Sequence, residues 1–374
     1  MELSWVEISA QNLIHNYQEF KNLVGNNVTL APVIKGNAYG HGLTQVAKIF
    51  TDAGAEYLCV NTLDEVIKIR KKRITTPLLI LGYTPKNDLK KAVRLNADLT
   101  VYNPDTIWNL GRLKKTARIH LKIETGSNRQ GVLLKDLPNI TEQILKYQNI
   151  ELTGVSTQFA NLERRLHPTF AFKQLERFER ALSIIEKMTG ALPRYLHASN
   201  TATTVAMPEA RFNFVRVGTG CYGYWPSKKT RIRAKREGIN IRLKPALNWK
   251  ALVAQVKEVE KGASVGYGRG YKMPYKGKIA VITTGYCDGY LSEMGNNGYV
   301  IIKGKRCPIV GKINMNMLMA DVTHIDNLDP EDPVTLLGRH GKSKITLEHI
   351  QKWTGHVPGK ILTAIDQDLK RIYS

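Results

Sequence analysis

The chain has 374 residues, too many for one small core, and 43% of them are apolar and 23% charged, which excludes a disordered or fibrous protein and leaves about two globular domains. Its net charge of +23 is scattered in short runs, "KIRKKR" (68–73), "RLKKTAR" (112–118) and "SKKTRIRAKR" (227–236), without the interleaved aromatics or zinc-finger pattern of a nucleic-acid binder. These runs read as solvated helix faces and loops, so no specific nucleic-acid partner is expected and any affinity for polyanions is a by-product.

The N-terminal "MELSWVEISA" has neither a charged n-region nor a continuous apolar h-region, and no apolar run approaches the roughly 18 residues of a membrane span. The expectation is a cytoplasmic protein with no membrane partner, whose residues 1–10 add a strand to the second domain. Eight β-rich runs follow: "VTLAPVIK" (28–35), "EYLCV" (56–60), "PLLILG" (77–82), "DLTVY" (98–102), "ARIHLKIE" (117–124), "IELTGVSTQF" (150–159), "RYLHAS" (194–199) and "NFVRVG" (213–218). Helical periodicity separates them. It is clearest over 170–189, where Phe172, Leu175, Phe178, Leu182 and Ile185 line one face and Gly190 supplies a stop. Eight strands alternating with helices predict an N-terminal (β/α)8 TIM-like barrel over 11–235. Pro32 lies inside the first run, where it cannot donate to a ladder, so that strand should be irregular near its end.

After a basic linker around 227–245 the pattern becomes strands punctuated by Gly, Asn and Pro: "ALVAQVKEV", "KIAVITTGY", "GYVIIKG", "KRCPIVGKI", "MLMADV" and "PVTLLG". A C-terminal mainly-β domain, 236–374, is expected. The four cysteines, Cys59, Cys221, Cys287 and Cys307, form no CxxC pair, which argues against a metal site or disulfide scaffold and for a reducing compartment.

A barrel enzyme works at the C-terminal ends of its strands. There this sequence puts Lys35 in "APVIKGNAYGHG", Lys122 and Glu124 after the fifth run, His197 in the seventh followed by "NTA", and Arg216 with "GTG" in the eighth. A strand-end lysine near glycine-rich turns that offer N–H groups to an anion suits a phosphorylated aldehyde held as a Schiff base, and pyridoxal 5'-phosphate is the candidate. Each residue alone has an ordinary explanation: a snorkelling lysine, a satisfied core histidine, a tight strand-to-helix turn. Their convergence on one end of one barrel favours function.

On "APVIKGNAYGHG", "HASNTA", "VRVGTGCYGY", "VGYGRGY" and "TTGYCDGY", in that order, the chain resembles the pyridoxal-phosphate-dependent alanine racemases of the fold-type III barrel family over nearly its whole length. The resemblance implies that Lys35 carries the cofactor, that Val33 and Leu81 line its ring, and that Tyr39, Thr201 and the backbone of Gly218 and Thr219 hold its phosphate. It puts Arg216 opposite the pyridine nitrogen and adds His197 and Asn200 to the cofactor site. An arginine keeps its proton, so the ring nitrogen would stay largely unprotonated and side reactions such as transamination would be suppressed.

By the same resemblance Lys35 and Tyr267 are the two bases, one on each face of the substrate α-carbon; a phenol serves as a base only where positive charge favours its phenolate. "LKIETGSNRQGV" matches the segment in which a carbamylated lysine, here Lys122, orients an arginine, here Arg129, toward the substrate carboxylate. Met315 and Tyr286 match residues that the neighbouring subunit contributes, which implies a homodimer with shared sites; no metal is implied. Four positions depart from the family pattern: Gln158 stands for a histidine, Asn316 for the aspartate after Met315, Glu124 for the acidic residue two after the carbamylated lysine, and Ile365 for a C-terminal phosphate-contacting tyrosine. The activity implied is interconversion of L- and D-alanine, supplying D-alanine for the cell wall. A broader racemase acting on serine, or a lyase or decarboxylase on the same barrel, is the alternative; Arg216 and Tyr267 speak against the lyase.

Overall fold

The computed structural model describes residues 2–160 and 169–374, and the chain forms two units. One comprises Leu13–Ala38 and Leu43–Lys244; the other comprises Met1–Asn12, Tyr39–Gly42 and Pro245–Ser374.

Strand β1 (Ser4–Ile8) belongs to the second unit; the next eight build the first. They are β2 (Thr29–Pro32), β3 (Leu58–Val60), β4 (Leu78–Ile80), β5 (Ala97–Val101), β6 (Ala117–Lys122), β7 (Ile150–Ser156), β8 (Tyr195–His197) and β9 (Phe214–Val217), one for each expected run, with β5 starting one residue before its run. Strands β3 to β8 pair in sequence order, all parallel, and β2 pairs in parallel with β9. Two further contacts close the ring: the Ile34 N–H donates to Cys59 O at 2.8 Å, and the Arg216 N–H donates to Ser199 O at 3.1 Å. Pro32 is the last residue of β2, yet bonding to β9 continues past it, the Val33 N–H donating to Val217 O at 2.8 Å.

Part of the basic charge sits where a helix dipole favours it. Lys68, Arg70 and Lys71 occupy the last turn of helix Leu63–Lys71, and Lys91 and Arg94 that of Lys86–Arg94. The stretch expected as a linker after 227 instead carries a helix, Lys228–Arg236, capped by Ser227 Oγ accepting from the Thr230 N–H at 3.1 Å. Helix Thr169–Thr189 buries Leu175, Phe178, Leu182 and Ile185 as expected, but Phe172 is exposed. At 3.6 residues per turn the buried stripe drifts onto Ala171 and Gln174, and Gln174 is held there by hydrogen bonds rather than by apolar packing.

In the second unit the sheet runs β15 (Lys305–Pro308), β14 (Tyr299–Ile302), β17 (Pro333–His340), β10 (Leu247–Val259), β1, β19 (Lys370–Tyr373). Strand β13 (Gly277–Ile282) pairs with β10 and with β16 (Leu318–Asp321), and β18 (Ser343–Ile345) with β17. Strands β11 (Ser264–Val265) and β12 (Tyr271–Lys272) form a hairpin whose tip carries Tyr267. Val265, Met273, Ile279, Val310 and Met319 pack beneath it. Two helices unforeseen in the sequence, Leu347–Thr354 and Pro358–Ala364, complete this unit. The second also anchors the insert 39–42: Gly40 lies so close to Leu362 O that no side chain fits there, and Tyr373 OH donates to His41 O at 2.8 Å.

Candidate functional site

Lys35 follows β2 and opens a left-handed turn. Gly36 (φ 64°, ψ 50°), Asn37 (53°, 43°), Ala38 (53°, 50°) and Tyr39 (φ 50°) all lie in the left-handed region, which costs an L-residue roughly 1–2 kcal/mol each. Local hydrogen bonds hold the turn: Gly36 N–H to Glu65 Oε1 at 2.8 Å, Ala38 N–H to Ile34 O at 2.8 Å and Leu43 N–H to Asn37 Oδ1 at 2.9 Å. Backbone strain of this kind persists only where its surroundings over-determine it, and here it falls on the four residues directly after Lys35. Glu65 is the unforeseen contributor. As the fourth residue of the capping box "TLDE" it was legible as a helix signal, but nothing in the sequence showed that it also grips Gly36.

Around Lys35 the first unit gathers positive charge. Burial, and then Arg129, push the Lys35 amine below its usual pKa; burial, Arg216 and Arg129 push Lys122, at the end of β6, well below it. Burial lowers Arg216 to about 10, so it stays cationic at neutral pH. None of Lys35, Lys122, Arg129 and Arg216 enters an ion pair among the described residues. The nearby Glu124 is committed elsewhere, its carboxylate accepting from the Gly126 N–H at 2.5 Å and the Arg129 N–H at 3.2 Å, which shapes the loop bearing Arg129. A cluster of cations lacking its own counter-ions is chemistry that an anionic ligand completes.

Arg216 sits on β9 opposite Ala31, so it and Lys35 lie at the ends of directly paired strands. Its guanidinium donates to Thr157 O at 2.8 Å, His197 O at 3.2 Å, Gln158 Oε1 at 3.3 Å and the ring nitrogen His197 Nδ1. His197 thus lies behind Arg216, its other ring nitrogen taken by His120. The buried Gln174, missed in the sequence, fixes the loop of Gln158 by donating to Thr125 Oγ1 and Gln158 O and accepting from the Ala160 N–H.

The loops after β8 and β9 meet where the Gly218 N–H donates to Thr201 Oγ1 at 3.0 Å; Thr219 follows, and at Gly220 a side chain would strike Phe20 and Thr201. Asn200 caps the helix Thr201–Ala206 through the Thr203 N–H at 3.0 Å. Val33 accepts from Tyr222 OH at 2.9 Å, and Leu81 follows β4, its N–H bound to Val60 O.

The remaining expected residues lie in the second unit with Tyr39. Tyr267 is 81% exposed, Met315 52% and Tyr286 47%, high for side chains of this size. The last two are neighbours, since the Tyr286 N–H donates to Asn314 O and the Cys287 N–H to Met315 O, both at 3.0 Å. Asn316 is exposed beside them, whereas Ile365 is buried and packs near Gly40 and Gly289.

Comparison with known proteins adds the following. Residues 8–226 match the family model described as alanine racemase, N-terminal domain, and residues 246–373 match alanine racemase, C-terminal domain. An alanine racemase of Carboxydothermus hydrogenoformans is 39% identical over 373 residues, 99% of each chain. Among solved structures, the alanine racemase of Bacillus anthracis with bound L-Ala-P is similar with a TM-score of 0.91 and 31% identity, over 100% of this chain and 95% of that one. The alanine racemase of Clostridium difficile gives 0.92 and 30%, over 100% and 96%.

Proposed function

The chain belongs to the alanine racemase family, both of whose domain models it matches, and on that premise we propose how its residues interconvert L- and D-alanine on pyridoxal 5'-phosphate. It is an isomerase of amino acids, and the reading rests on one observation above all: a lysine that opens a strained turn and a buried arginine at the ends of paired strands, with no ion pair to either among the described residues. The residues fit the cofactor. Gly218, Thr219 and Thr201 would hold its phosphate, Val33 and Leu81 its ring, and Lys35 its aldehyde carbon.

Once bound, the cofactor supplies an electron-withdrawing ring that acidifies the substrate α-hydrogen. The chain supplies the rest. Lys35, its amine readily neutral because burial and Arg129 disfavour the charge, takes or returns a proton at Nζ on one face. The Tyr267 hydroxyl does the same on the other. Arg216 stays a hydrogen-bond donor and transfers no proton, which limits how much charge the ring accepts. Arg129 receives the substrate carboxylate, and Met315 and Tyr286 border the substrate.

The exposure of Tyr267, Tyr286 and Met315 supports a homodimer in which they complete the site of a second copy. The four free cysteines agree with a cytoplasmic location, where D-alanine enters cell-wall synthesis. No helix among the described residues is long and apolar enough to cross a membrane.

Lys122 is the reading's unpaired lysine. A neutral Nζ adds to carbon dioxide, forming an N–C bond and releasing one proton to water, and the product is an anion that Arg129 can pair with. Because its pKa is held down, this amine remains available below the pH at which an ordinary lysine would be fully protonated. Protein equilibrated with isotopically labelled bicarbonate should show a carbamate carbon resonance that Lys122→Ala lacks; a wild type without the resonance at neutral pH would overturn the assignment.

Gln158 accepts from Arg216 and cannot titrate. Gln158→His should therefore add an acid limb to the pH–rate profile: protonated only below the ordinary imidazole value of about 6.5, because the Arg216 cation disfavours the charge, the new ring sets a second cation against Arg216 and activity falls there. An unchanged profile with the fold intact would show that this position does not act on Arg216.

A further inference from the structure

The interior of a barrel of this kind is ordinarily filled with branched apolar side chains. Here a polar column runs across four of its strands: Asp98 on β5, His120 on β6, His197 on β8 and Arg216 on β9, every one buried. His120 Nδ1 lies 2.7 Å from His197 Nε2, and His120 Nε2 lies 3.5 Å from Asp98 Oδ2. Arg118 Nε donates to Asp98 Oδ1 at 2.7 Å and Tyr57 OH donates to Asp98 Oδ2, while the Tyr195 ring stacks on His120 with an interplanar angle of 10°.

The column exists because of one glycine. Strand β7 stands between β6 and β8, and its Gly154 is paired with His120 on one side and Tyr195 on the other. A Cβ at Gly154 would land on His120 Nδ1, the atom that meets His197. Without a side chain there, the two imidazoles touch across the intervening strand.

Proton positions along the column follow from donor and acceptor chemistry. A guanidinium only donates, so His197 Nδ1 accepts and its proton is on Nε2. That proton is given to His120 Nδ1, which leaves His120 protonated on Nε2 and facing a carboxylate that only accepts. Were His120 doubly protonated, His197 would have to accept at both nitrogens, which a neutral imidazole cannot do. Both rings are therefore neutral, in agreement with the low pKa values that burial imposes on them. At the far end Arg118 pairs with Asp98 at 2.7 Å, so the column joins that ion pair to the Arg216 cation.

We infer that Asp98, His120 and His197 form a one-way column, hydrogen-bonded from His120 through His197 to Arg216 and ended by the Asp98 carboxylate 3.5 Å from His120 Nε2, that fixes the plane of the Arg216 guanidinium. Asp98 and His120 are thereby positioning residues for a site that neither of them reaches. Their importance for catalysis rests on the reading of Arg216 given above; the proton positions do not.

Neutron diffraction of the holoenzyme tests the column directly. The expected result is deuterium on Nε2 and none on Nδ1 of both histidines; deuterium on Nδ1 of either overturns the inference. Two substitutions test its effect. His120→Leu removes the acceptor for His197 and should lower kcat about 10–100-fold with little change in KM, and alter the visible spectrum of the bound cofactor. His120→Asn places Oδ1 where Nδ1 was and should recover most of both. Equal damage by Leu and Asn, or none by Leu, overturns the positioning role; if His120→Leu does not fold, the neutron result on the unaltered protein decides. A wild type with the expected protons but no racemase activity would instead sink the functional reading alone.

Discussion

Lys35→Ala should be purified with no covalently held cofactor and should racemise alanine at least about 10²–10⁴-fold more slowly, the range lost with a single acid–base group. The larger loss is expected, because Lys35 both attaches the cofactor and serves one face of the α-carbon. The prediction has a real competitor. Lys122 is also a lysine of depressed pKa in the same cation cluster, and a neutral amine is what attachment requires. Geometry separates them: Lys35 leaves the strand paired with that of Arg216 and opens the strained turn, whereas Lys122 ends β6, whose neighbours are β5 and β7. Borohydride reduction followed by peptide mapping therefore discriminates. The cofactor should be found on the peptide containing Lys35, and a label on the Lys122 peptide would reverse the two roles.

What the sequence revealed, and what it hid, follows from how each feature is encoded. Strand-rich runs separated by helical periodicity make the barrel plain. Site residues at strand ends are conspicuous because a lysine or arginine there breaks the apolar pattern. The supporting residues are not. Asp98 opens the expected run "DLTVY" as any polar strand terminus does, His120 alternates with Ile119 and Leu121 as an ordinary strand position does, and Gly154 looks like a weak point in β7. Their meaning appears only when three strands are laid side by side, since the contact from His120 to His197 skips a strand. Gln174 and Glu65 were hidden for a related reason: each lies on a helix, and its partners are on loops distant in sequence. Tyr267 is the opposite case. On a hairpin tip and 81% exposed, it has no structural reason to be singled out, and only the resemblance of "VGYGRGY" gave it a role.

That exposure underlies the last expected result. If Tyr267 of one copy completes the site built on Lys35 of another, a two-fold dimer holds two such sites, each drawing one base from each chain. Lys35→Ala and Tyr267→Phe homodimers should each be nearly inactive, the first without cofactor attachment and the second without its base on the other face. Unfolded together and refolded in equal amounts, they should give roughly half heterodimers, in which one site has both residues intact and the other has neither, so activity should return to roughly a quarter of wild type by counting. Were both bases drawn from the same chain, every heterodimer would carry one defect in each site and nothing would recover. The refolded mixture must be shown to contain heterodimers, for instance by a size tag on one variant. Heterodimers without recovered activity would refute the shared site, yet leave Lys35 and the racemase reading untouched, because those rest on the cation cluster of the barrel and not on the exposed hairpin.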